Sequence, residues 1–128
     1  MLTNPEIHEK IWGRELWIAN NELYCGKILE LKEGYRCSIH FHKNKDETFY
    51  ILSGMVLMEV DDNHTIMKPG DTLRLRPGTK HRFTGLSNSE IIEFSTHHED
   101  SDSYRTVESG KVPEDEFKKL KAILLNGV

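Results

Sequence analysis

Four residues of this chain have the types and the spacing to hold a metal ion: His40, His42, Glu47 and His81. Successive side chains of an extended strand alternate faces, so His40 and His42 point the same way, about 7 Å apart along the strand. Glu47 follows a short turn and can return on the neighbouring strand to supply a hard oxygen. His81, beyond the Pro77-Gly78 turn, is the fourth. Three neutral imidazoles and one carboxylate suit a divalent first-row ion, and Zn, Mn, Fe and Ni all fit that description. An octahedral ion would keep positions open for substrate or water. A single His-x-His could equally be a solvated strand; the combination of spacings carries the reading.

The elements that must position these groups are short strands. Apolar runs punctuated by Gly, Pro, Asn and Asp recur from about residue 15 to residue 95. The turns fall at Asn20-Asn21, Lys32-Gly34, Asp61-Asn63, Lys68-Asp71 and Pro77-Gly78. Strands are expected over Glu15–Ala19, Glu22–Leu31, Arg36–His42, Thr48–Leu52, Met55–Val60, His64–Met67, Thr72–Leu75, His81–Thr84 and Ile91–Ser95. Even spacing of this kind predicts an antiparallel sandwich or barrel. After Gly110 the pattern changes: Pro113 leads Glu114, Asp115 and Glu116, and Phe117, Leu120 and Leu124 share a helical face. Proline and acids suit a helix start, so a short C-terminal helix over 112–125 is expected to pack on the barrel. The organisation is one domain over 1–128, with an N-terminal segment (1–20) and a barrel core (21–96).

Composition sets the outer bounds. The chain has 128 residues, 37% hydrophobic and 30% charged, with a formal net charge of −4, which reads as globular rather than disordered. Lys and Arg are scattered, so no basic stripe points to nucleic acid. No apolar run approaches the ~20 residues needed to cross a bilayer, and no secretory leader stands at the start. The expected location is the cytoplasm. Cys25 and Cys37 lie in apolar strand-like runs, where free buried thiols are expected rather than a disulfide framework.

The segment from Gly34 to Gly54 matches Gly-x5-His-x-His-x4-Glu-x6-Gly, the first motif of the cupin superfamily, at every position. Gly70 to His81 resembles the second motif, Gly-x5-Pro-x-Gly-x2-His, with Arg76 in place of the usual proline and Gly85 where an asparagine often closes it. Neither departure removes a ligand. Glu9-Lys10-Ile11-Trp12-Gly13, Lys27-Ile28-Leu29, Arg36 with Ser38, and Arg105 are similar to segments of the cupin domain of type II mannose-6-phosphate isomerases. The likeness covers roughly residues 8–110. It implies an all-β fold, a double-stranded β-helix (jelly-roll) barrel, with a metal-dependent enzyme of sugar chemistry as the expected function. That enzyme would isomerise or epimerise a sugar or sugar phosphate through a metal-stabilised enediolate.

Face alternation extends the site. If His40 and His42 face inward, so should Arg36 and Ser38, with Phe49 on the next strand and Phe83 beside His81. Arg36 presents a fork that fits phosphate or carboxylate, against the competing reading of an ion pair with an acid at the barrel mouth. Lys27 and Arg105 are further candidates for the same anion. Glu47 is the candidate base, if only weakly held to the metal. His97-His98 is expected in a solvated loop, and His8 and His64 on the surface. Two other readings stay open: a binding module that holds a sugar or other small molecule without turnover, and an iron-dependent dioxygenase. Exposed edge strands need cover, and the N-terminal segment with Trp12, Trp17 and Ile18 is expected to supply it, with a homodimer as the assembly.

Overall fold

The computed structural model describes residues 1–125 of the chain. In chain order its strands are β1 (Glu6–Lys10), β2 (Gly13–Asn20), β3 (Cys25–Leu31), β4 (Tyr35–Arg36), β5 (Ile39–Phe41), β6 (Glu47–Ser53) and β7 (Val56–Val60). They continue with β8 (Asn63–Met67), β9 (Thr72–Leu75), β10 (His81–Gly85), β11 (Ser89–Ser95), β12 (Tyr104–Val107) and β13 (Gly110–Lys111), and the helix α1 (Glu114–Leu125) closes the chain. All pairings are antiparallel. One sheet runs β1-β2-β3-β11-β6-β9. The other centres on β10, which pairs with β4 and β5 on one edge and with β7 on the other. The two sheets form a jelly-roll barrel.

Alternation explains the core. On β3, Cys25, Lys27, Leu29 and Leu31 are buried while the residues between them are half-exposed; β6 repeats this with Glu47, Phe49 and Ile51. Phe49, Ile51, Met58, Leu75, Phe83 and Ile91 meet between the sheets with Trp12, Leu29, Leu31 and Cys37. Trp12 belongs to this core at 4% exposure, so it is not a cover for an edge or a partner surface. Both thiols are free and buried.

Two glycines in the matched motifs have backbone duties. Gly54 has φ +84°, and a Cβ there would come within 2.2 Å of Ser89 Oγ and 2.5 Å of the Asn88 carbonyl oxygen. Gly78, at φ +86°, donates its N–H to the His42 carbonyl at 2.6 Å and so ties the loop before His81 to the strand that carries the other two imidazoles. Three strands lie outside the expected set. β1 forms a hairpin with β2, and β12 and β13 pair with β5 and β4. Charges hide the period-2 signal in β1, β12 is exposed at every position and β13 is only two residues long. The helix begins at Glu114, with Phe117, Leu120 and Leu124 half-buried on one face.

Candidate metal centre and its cavity

His40 on β5, His42 just beyond it and His81 at the start of β10 converge because β5 and β10 are paired with His81 opposite His40. One ligand atom from each imidazole lies within 4.8 Å of the others. The rings are held by their far nitrogens. Nδ1–H of His40 donates to the Ser38 carbonyl, that of His42 to the Asp102 carbonyl and that of His81 to the Thr79 carbonyl, each at 2.9 Å. A carbonyl only accepts, so the proton is on Nδ1 in every ring and the lone pair is on Nε2.

Those lone pairs have poor company. Glu47 Oε2 stands 3.2 Å from His42 Nε2 and 3.5 Å from His81 Nε2, with all three groups almost wholly buried. His81 Nε2 makes no hydrogen bond at all. Carboxylate oxygen facing imidazole lone pairs is repulsive unless a cation or a proton intervenes. Burial, then the neighbouring His81, pushes His40 down from its ordinary 6.5 to about 3, and burial likewise lowers His81, so the proton is disfavoured. Burial and then Glu93 push the Glu47 carboxyl up, but the close approach of His42, Lys45 and His81 outweighs them and leaves it below its ordinary range. The three histidines are thus positioned to bind a metal ion, and the donor set, borderline nitrogens beside a hard oxygen, fits one.

His40 and His42 open into a cavity of about 640 Å³ that also exposes Lys27, Ser38, Phe49, Phe83 and Arg105. Ser38 Oγ lies 3.1 Å from His40 Nδ1. Arg105 stands half-exposed at the mouth, 3.6 Å from Glu108. Arg36 does not join them. It faces the C-terminal helix, where Nη1 donates to Glu116 Oε1 at 2.7 Å. The expected alternation fails because the strand breaks between β4 and β5: Cys37 turns inward to the core, and Ser38 turns inward directly after it. That irregularity shifts the parity, which puts Arg36 on the opposite face from His40.

Five residues around the site, Lys45, Glu93, His98, His8 and Asp102, carry no motif and were not expected there, whereas Lys27 was expected to meet an anion. Lys45, 3% exposed, donates to Glu93 Oε2 at 3.1 Å and to His98 Nδ1 at 3.0 Å, and stands 3.7 Å from Glu47 Oε1. Lys27, 1% exposed, donates to Glu15 at 3.1 Å and lies 4.4 Å from the Trp17 ring. His98 is buried against Trp17 rather than solvated, and its Nε2–H donates to Asp100 at 2.9 Å. His8 is half-buried and stacks on the same Trp17, with ring centroids 3.9 Å apart. Asp102 accepts from the backbone N–H groups of Lys43, Asn44 and Lys45 at 2.9 to 3.2 Å, while its carbonyl orients His42. A signal existed for Glu93, a charge on the same face of β11 as Ile91, and for Lys27, in phase with Leu29 and Leu31. His98, on a loop, and Asp102, in a single 3-10 turn over Asp100–Asp102, offered none.

Comparison with known proteins agrees with this architecture. The chain is 36% identical over 70 residues to an oxidoreductase of Arthrobotrys oligospora, covering 52% of this chain and 27% of that one. It is 34% identical over 55 residues to an uncharacterized protein of Methanocaldococcus jannaschii, covering 43% and 44%. It therefore spans less than half the length of these curated relatives. Among solved structures, a Streptomyces nucleoside dehydratase with uridine superposes with a TM-score of 0.73 at 14% identity, over 88% of this chain and 90% of that one. Residues 27–96, which include all three histidines and Glu47, match the cupin domain family. This chain belongs to the cupin domain family.

Proposed function

We propose that this cupin is a metal-dependent enzyme that isomerises or epimerises a sugar or sugar phosphate. The carrying observation is that His40, His42 and Glu47 share one cavity with buried titratable groups, Lys45, Glu93 and His98, rather than with an apolar wall. A pure binding pocket has no need to bury charges beside its ligand. His40, His42, Glu47 and His81 hold one divalent ion, with Zn, Mn, Fe and Ni all suited to the donors. When bound, that ion supplies Lewis acidity that polarises a substrate carbonyl and acidifies the adjacent carbon.

The chain's own groups do the rest. Glu47 takes the proton on Oε1, the oxygen turned toward Lys45, and Lys45 stabilises the carboxylate before transfer. Ser38 and Lys27 orient hydroxyls, Phe49 and Phe83 exclude water, and Arg105 at the mouth meets an anionic end of the substrate. Arg36, committed to Glu116, has no part. The free buried thiols suit a cytoplasmic site of action, and among the described residues no helix is long and apolar enough to cross a membrane. We further read the working unit as a homodimer.

The test is incubation of the metal-loaded protein with aldoses, ketoses and their phosphates in D₂O, followed by NMR. Deuterium entering the carbon beside the carbonyl, lost in Glu47→Gln, supports the proposal. Tight binding of a sugar without exchange would reduce the protein to a binding module. The oxidoreductase relative favours one second reading, redox chemistry with iron; oxygen uptake on substrate addition without exchange would establish it.

A further inference from the structure

Resting on the isomerase reading, we infer that the substrate is a sugar acid whose carboxylate stands directly beside the reacting carbonyl, and that Arg105 holds that carboxylate. Register places the side chain. β12 pairs with β5 so that Tyr104 lies opposite Phe41 and Arg105 opposite His40. Paired residues of an antiparallel ladder share a face, with Cβ atoms about 5 Å apart. Tyr104 and Phe41 stack on one face with ring centroids 5.2 Å apart, and Lys43 Nζ lies 4.4 Å from the tyrosine ring. The next pair therefore turns to the other face, where His40 and Arg105 both line the cavity. The guanidinium thus belongs to the same wall as an imidazole of the metal centre, not to the wall across from it.

Of the cations that line the cavity, Arg105 is the one beside the imidazoles with donors to spare. Lys27 and Lys45 are almost wholly buried and donate to Glu15 and Glu93, each at 3.1 Å. Lys10 stands on β1, at the edge of the other sheet. Arg105 has only Glu108, at 3.6 Å, which is longer than a hydrogen bond. Its planar fork is left to take both oxygens of a carboxylate. The place of this cation fixes where the substrate carries its charge. In an aldose or ketose phosphate the anion sits at the end of the carbon chain away from the carbonyl. With the carbonyl at the imidazoles, that phosphate would go out to solvent or inward to Glu15, Lys27, Lys45 and Glu93, where each lysine is already paired. A 2-oxo acid instead puts its carboxylate on the carbon next to the carbonyl, within the fork of Arg105, and turns an uncharged hydroxylated tail to the paired wall. Glu47 takes the proton from the carbon on the other side of the carbonyl and returns it there or to the former carbonyl carbon, so the step needs no oxidant or co-reactant.

Three compounds with the carbonyl at the same carbon test this: 2-ketogluconate, with its carboxylate beside the carbonyl; fructose, with no anion; and fructose 6-phosphate, with its anion at the far end. Each is titrated by calorimetry into the zinc-loaded full chain, wild type, Arg105→Met and Arg105→Lys, with circular dichroism to check the fold. The wild type should bind 2-ketogluconate about 10- to 100-fold more tightly than the other two, the gain of one charge-assisted bidentate contact. Arg105→Met should erase that preference and leave fructose binding unchanged, and Arg105→Lys should restore part of it. Should Arg105→Met fail to fold, a reduced preference in Arg105→Lys decides. A preference that survives these substitutions belongs to the ion alone and overturns the assignment of Arg105. Equal affinities, or a preference for fructose 6-phosphate, overturn the substrate class. Deuterium exchange beside the carbonyl, read by NMR on the same mixtures, separates this inference from the reading it rests on. A carboxylate preference with no exchange on any compound overturns the isomerase and leaves the ligand of Arg105 standing; exchange with no carboxylate preference overturns this inference alone.

Discussion

The two ends of the cavity bury titratable groups to a similar depth, yet they solve the problem of buried charge in opposite ways. At the end formed by Lys27, Lys45, Glu15, Glu93 and His98, each cation has a carboxylate within about 3.1 Å. Burial pushes the Glu93 carboxyl up, but Lys45 and then Lys27 outweigh it and hold the group below its ordinary range. Burial also tends to discharge Lys45, but Glu93 and Glu47 keep its ammonium charged. That end is complete as it stands. At the imidazole end, backbone carbonyls fix three rings with their lone pairs converging, and the charge that faces them directly is a carboxylate of the wrong sign for them. One end is closed by its own residues; the other is organised around something with positive charge. The pairing also shows why Glu47 is the hinge between the two, since it touches both.

Substitutions at the two ends should therefore behave differently. Lys45→Met removes the cation from the self-complete end and strands Glu93, so stability should fall by about 3–5 kcal/mol in denaturant unfolding. Adding Glu93→Leu in the same chain should recover most of that loss, while metal should not; recovery by metal alone would erase the distinction between the ends. Asp102→Ala acts on the other end indirectly. It leaves three backbone N–H groups of the 43–45 turn without their acceptor and loosens the hold on His42. Metal affinity by calorimetry should drop by about 10- to 100-fold, and Asp102→Asn, which keeps an acceptor, should recover part of it.

Acid sharpens the comparison further. His40, lowered from 6.5 to about 3, stays neutral in the folded chain while the unfolded chain takes up a proton, so its contribution to stability is present above about 6.5 and is lost as pH falls toward 3. Glu47 and Glu93, both lowered from 4.5, contribute above that value and lose their share below it. Metal-free protein should thus lose stability on acidification in two stages, the first beginning near pH 6.5, as read by urea midpoints. Bound metal should shift the first stage to lower pH, because it competes with the same proton. The smallest effect is expected at Arg36→Ala. Its partner Glu116 is nearly half-exposed, so the loss should stay under ~1 kcal/mol and metal affinity should not change.

The sequence reveals the imidazole end and hides the self-complete one, for a physical reason. Groups that could hold one ion must sit at fixed strand and turn intervals, so His40, His42 and His81, with Glu47 between them, leave a spacing pattern. Buried ion pairs are closed by tertiary contacts between distant segments, such as Lys45 with Glu93 and Lys27 with Glu15. No interval in the chain predicts them. Arg36 shows the limit of alternation itself: one irregularity at Cys37-Ser38 reverses the face of everything before it. The barrel strands from Glu47 to Ser95 were legible from punctuation and apolar period, whereas β1 was masked by its charges, β12 by exposure of both its faces and β13 by its length of two residues.

The central claim is that the imidazole end is completed by an ion, and metal analysis tests it most directly. The protein would be purified without a chelator or a metal-affinity tag, beside His42→Ala, with both then exposed to iron, manganese, nickel and zinc. About one equivalent of metal per chain in the wild type, and none retained by the folded variant, is the predicted result. A wild type that takes up none of the four metals, or a variant that binds as well as the wild type, would contradict the account.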